Sequence, residues 1–70
     1  MYIGILPTYY EIYAIGETEE EVKKNIVKGY KKRFPRKEDR SVKATFEDLH
    51  DYFGCSIYKI DHKKGYTMEG

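Results

Sequence analysis

Strand-like runs open this chain, and helical spacing replaces them after Gly16. Tyr2 to Leu6 is β-prone throughout; Pro7-Thr8 interrupts it; Tyr9 to Ile15 resumes with β-branched and aromatic residues. This pattern predicts two strands. Pro7 has no N–H to give to a ladder, so it belongs at the turn or at an edge. In the second run Tyr10, Ile12 and Ala14 share one face, and Tyr9, Glu11, Tyr13 and Ile15 share the other. Neither face is cleanly polar. The expectation is a strand covered by a helix on one side and by a partner or an aromatic cluster on the other.

From Thr18 the period changes to that of a helix. Thr18 and Glu21 form a capping box, in which hydroxyl and carboxylate satisfy orphaned backbone N–H groups. Val22, Ile26, Tyr30 and Phe34 recur at i+4, and Val27 widens the apolar stripe. Glu19, Glu20 and Glu21 sit in the first turn and Lys31, Lys32 and Arg33 in the last, as the helix dipole favours. Phe34-Pro35 ends the helix. Gly29 in its middle costs about 1 kcal/mol against alanine, which predicts close approach by a strand, a second helix or another subunit.

Arg36 to Ala44 is a polar connector. Thr45 with Asp48 opens a second, shorter helix whose buried side is Phe46, Leu49 and Phe53, and Gly54 is its stop. A strand at Ser56 to Asp61, a turn at Gly65 and a short strand at Tyr66 to Met68 follow. The reading is one α+β domain over residues 1–70, in ββααββ order: a small antiparallel sheet with one long amphipathic helix packed on a face. Seventy residues leave no room for a second core.

Composition adds to this picture in two places. Eight tyrosines and three phenylalanines stand with no tryptophan. Tyrosine brings area together with a hydroxyl that needs a partner, so some of the eight belong on a rim, a pocket or a subunit contact. The net charge is only +1, yet Lys23 to Lys43 holds ten lysines and arginines against two acids. The single Cys55 excludes an internal disulfide framework and predicts a reducing, cytoplasmic setting. "MYIGILP" lacks the basic start and apolar run of a signal peptide, and no segment has the length of a membrane span.

Candidate chemistry is sparse. Lys24, Lys28 and Lys31 share the helix face opposite the apolar stripe, and Lys32, Arg33, Arg36, Lys37, Arg40 and Lys43 continue beyond it. That run is either a solvated helix end or a surface for an anionic group. Tyr9, Tyr10 and Tyr13 around Glu11 serve either as large core filler or as a stacking and anchoring surface. His50, Cys55 and His62 have no metal or nucleophile spacing, and Glu47, Asp48 and Asp51 read as helix-surface and capping carboxylates. No cofactor, metal or enzymatic activity is expected. The candidate binding residues are Tyr9, Tyr13, Lys28, Lys31, Arg33, Arg36 and Lys37.

The strand leading through "GETEEEV" into an amphipathic helix resembles HicB-type antitoxins over roughly Tyr9 to Tyr30, where the cap carries the likeness. The resemblance implies a toxin-binding role. The layout "TEEEVKKNIVKGY", "TFEDLHDYFGCSIYKI" and "KKGYTMEG" is similar to short uncharacterised phage and prophage proteins, which implies an accessory binder or inhibitor. The expected function is a non-enzymatic binding protein, forming homo-oligomers and engaging a host protein or an anionic small ligand such as a nucleotide. Nucleic-acid binding or transcriptional regulation through the Lys/Arg tract is the alternative.

Overall fold

Alternating side chains decide how the two N-terminal strands sit. The computed structural model describes residues 1–7, 11–61 and 63–64. β1 (Tyr2–Leu6) and β2 (Ile12–Gly16) pair antiparallel, with Gly4 opposite Ala14 and Ile5 opposite Tyr13. β3 (Ser56–Lys59) pairs antiparallel with the other edge of β1, so the sheet order is β2-β1-β3. Chain order among the described residues is β1, β2, α1 (Glu19–Arg33), a 3₁₀ turn (Lys37–Asp39), α2 (Phe46–Phe53) and β3. The α+β class and antiparallel sheet are as expected. Tyr9 and Tyr10 of the predicted second strand, and the predicted strand at Tyr66 to Met68, lie outside the described residues. β3 is shorter than its expected span to Asp61, although the Ile60 N–H still donates to the Met1 carbonyl at 2.9 Å.

α1 lies across one face of the sheet, and small residues let it come close. A Cβ added at Gly4 would stand 2.6 Å from Val22 Cγ1, and one added at Gly29 would stand 2.8 Å from Ile12 Cγ2. The mid-helix glycine is therefore explained by the strand beneath it. Leu6, Ala14, Val22, Ile26, Tyr30, Leu49 and Cys55 form the buried core. Tyr30 is fully buried and is the largest of them. Phe34 and Phe53 pack against its ring at centroid distances of 5.3 and 6.1 Å.

The caps form with one change. The Thr18 hydroxyl accepts from the Glu21 N–H at 3.2 Å, but the Glu21 carboxylate accepts from the N–H of Glu17, one residue before the cap, at 2.6 Å. At α2 the Thr45 hydroxyl accepts from the Asp48 N–H and donates to its carboxylate. Gly54 ends α2 at φ +76°, a conformation that costs glycine nothing. Among the described residues, no helix is long and apolar enough to cross a membrane.

Candidate functional site

The connector from α1 to α2 is fixed by two core-side anchors. The Tyr30 hydroxyl donates to the Val42 carbonyl at 3.3 Å and accepts from the Val42 N–H at 3.5 Å. Arg40 folds back on the end of α1: its Nε donates to the Phe34 carbonyl at 2.8 Å and its Nη2 to that of Pro35 at 3.4 Å. The Phe34 carbonyl, at the C-cap of α1, is among the groups a helix leaves unpaired at its C-terminal end, where a cation also meets the negative pole of the dipole. Between the anchors the chain makes a concavity of about 440 Å³, lined by Lys37, Arg40, Ser41, Val42, Lys43 and Ala44.

Three cations and a hydroxyl share this wall with two small apolar side chains. Glu38 and Asp39, the acids of the 3₁₀ turn, do not line it. The remaining positive charge of the tract points elsewhere. Lys24, Lys28 and Lys31 are exposed along α1, while Lys23 is partly covered, its ammonium 5.3 Å from the Phe46 ring centre. The Arg33 guanidinium lies 5.0 Å from the Phe34 ring centre, and Arg36 is exposed before the 3₁₀ turn. Among the described residues, Lys37 is the one expected binding residue that lines the concavity. Arg40, Ser41 and Lys43 join it there. Their signal in the sequence is a basic connector interrupted by one apolar residue, Val42, which marks where the loop must return to the core.

Tyr13 belongs to a different surface. It lies on the sheet face turned away from α1, 58% exposed, and its hydroxyl donates to the Glu11 carboxylate. That bond, more than the nearby negative charge, raises the phenol pKa above its ordinary value. Tyr9 is outside the described residues. A second concavity, of about 500 Å³, is lined by Lys59, Ile60, Asp61 and Lys63 and so mixes charge of both signs.

Of the nucleophile and metal candidates, Cys55 and His50 fall among the described residues. Cys55 is fully buried, and burial pushes its thiol up to about 11, away from the reactive thiolate. His50 is exposed, with Nδ1 3.3 Å from the Asp51 carboxylate. His62 lies outside the described residues. Among the described residues, no three His, Cys, Asp or Glu side chains gather as a metal site. Comparison with protein-family models, with curated proteins and with solved structures finds no match for this chain.

Proposed function

We propose that this chain is a non-enzymatic binding protein that takes an anionic small ligand at the α1–α2 connector. The observation that carries the reading is the convergence of Lys37, Arg40 and Lys43 on one concavity in which, among the described residues, no carboxylate joins them. Like charges held together raise the local potential and favour an anion that neutralises them. Hydrogen bonds from charged donors to phosphate or carboxylate oxygens are about twice as strong as neutral ones. Ser41 adds a hydroxyl, and Val42 and Ala44 offer apolar contact to the rest of a small organic anion. A volume of about 440 Å³ lies within the range that small-molecule sites occupy. A phosphate-bearing molecule of mononucleotide size suits this chemistry, and capture of such a ligand fits the accessory or inhibitory role implied by the likeness to phage proteins.

Calorimetric titration with a nucleoside monophosphate, and separately with a single-stranded oligonucleotide, tests the reading. One ligand per chain, held with a shallow salt dependence and lost in the double variant Lys37→Glu/Lys43→Glu, is the expected result. Affinity for the oligonucleotide alone, falling by orders of magnitude between about 50 and 200 mM salt, would overturn it in favour of a nucleic-acid interface along Lys24, Lys28 and Lys31. No heat with either ligand also overturns it.

A further inference from the structure

Arg40 is held in place by neutral groups, which leaves most of its charge uncancelled. Its Nε and Nη2 donate to the carbonyls of Phe34 and Pro35, so two of its five N–H groups are occupied by the end of α1. Carbonyls at a helix end offset only part of a positive charge. Lys37 and Lys43 stand in the same lining. Among the described residues, none of these three cations forms an ion pair with a carboxylate.

We propose that the group recognised at the connector is a terminal phosphate, a monoester, and that a phosphodiester is discriminated against. This rests on the reading of the connector as an anion site and narrows that reading to one ligand class. Charge is the first argument. A phosphate monoester carries about −1.5 to −2 near neutral pH and offers three terminal oxygens. A phosphodiester keeps a single negative charge and two such oxygens. Three cations in one lining repel one another until an anion neutralises them. The monoester comes close to doing so, whereas the diester leaves two positive charges uncompensated.

Hydrogen bonding is the second argument. With Nε and one N–H of Nη2 bound to α1, Arg40 keeps both N–H groups of Nη1 and one of Nη2. One from each nitrogen makes the parallel fork that takes two oxygens of a phosphate. The two bonds to α1 also order this side chain before the ligand arrives, which lowers the cost of binding. A third terminal oxygen then falls to Lys37, Lys43 or the Ser41 hydroxyl, the remaining donors of the lining. A diester has no such oxygen to give them.

Calorimetric titration of the full chain with adenosine 5′-monophosphate and with adenosine 3′,5′-cyclic monophosphate tests this, because the two share base and sugar. The monoester should bind at least about tenfold more tightly, as expected when charged donors lose an acceptor. Lys37→Gln and Lys43→Gln are exposed changes that each remove one charge. They should bring the affinity of the monoester toward that of the cyclic form. Equal affinity for the two nucleotides, or tighter binding of the cyclic one, would overturn the proposal and leave the anion site standing. A preference unchanged in both variants would also overturn it. Binding of neither nucleotide would overturn the proposal and the anion site together.

Discussion

The hydroxyl of Tyr30, a fully buried core residue, meets both backbone groups of Val42 in the wall of the connector concavity. The core of the domain thus reaches the candidate site through one oxygen atom. Tyr30→Phe keeps the ring and its packing on Phe34 and Phe53 but leaves the Val42 N–H and C=O without that partner. The expected cost is about 1 kcal/mol, read from urea denaturation. Anion affinity should fall as well, because the loop between the two anchors loses one of them.

Arg40 differs from its neighbours in carrying structure and charge together. Its guanidinium holds the Phe34 and Pro35 carbonyls at the end of α1. Arg40→Ala should destabilise the fold by about 1.5–3 kcal/mol, the range for hydrogen bonds to a charged group. Lys37→Ala and Lys43→Ala are exposed changes and should stay within about 0.5 kcal/mol of wild type. Thermal denaturation of the three variants side by side checks the contrast.

Gly29 should resist replacement by the best helix former. Alanine gains about 1 kcal/mol of helix propensity, but its Cβ would stand 2.8 Å from Ile12 Cγ2. Overpacking of that kind costs about 1–3 kcal/mol, so Gly29→Ala should be neutral or destabilising. In an Ile12→Ala background the opposing methyl is gone and the same change should stabilise. A double-mutant cycle in urea measures that change of sign.

The caps and the long helix were legible because they are local. Thr18, Glu21 and the i+4 row from Val22 to Tyr30 are neighbours along the chain, and folding only realises their spacing. Gly29 was legible as an anomaly but its cause was not, since Ile12 lies far away in sequence. The same limit applied to the basic tract. Along the chain, Lys28, Lys31 and Lys37 read as one continuous run; in space the first two lie exposed on α1, and Lys37 turns toward Arg40 and Lys43. What separates them is the 3₁₀ turn and the return of Val42 to Tyr30, and neither has a periodic signature. The paired faces of β2 were readable from alternation. That Tyr13 and Ile15 meet Ile3, Ile5 and Tyr58 depended on a register that only pairing with β1 and β3 sets.

Cys55 makes stability depend on pH in a defined direction. Burial holds its thiol protonated up to about 11, whereas an unfolded thiol ionises near ~8.5. Above ~8.5 the unfolded chain releases a proton that the folded chain retains. The contribution is therefore complete below ~8.5 and is lost as pH rises toward about 11. Denaturation of wild type and Cys55→Ala at several pH values should show the difference between them shrinking across that window. At neutral pH the native thiol should react slowly with iodoacetamide and the urea-unfolded thiol quickly.

The central claim is that the connector concavity holds an anion, and amide chemical-shift mapping reaches it most directly. Nucleoside monophosphate titrated into ¹⁵N-labelled protein should move the resonances of Lys37 and of Arg40 through Ala44 together, along one saturating curve. Those of Tyr13, Ile15 and the outward face of α1 at Lys24 and Lys28 should stay in place. Shifts confined to α1, or spread over the surface without saturation, would contradict the account.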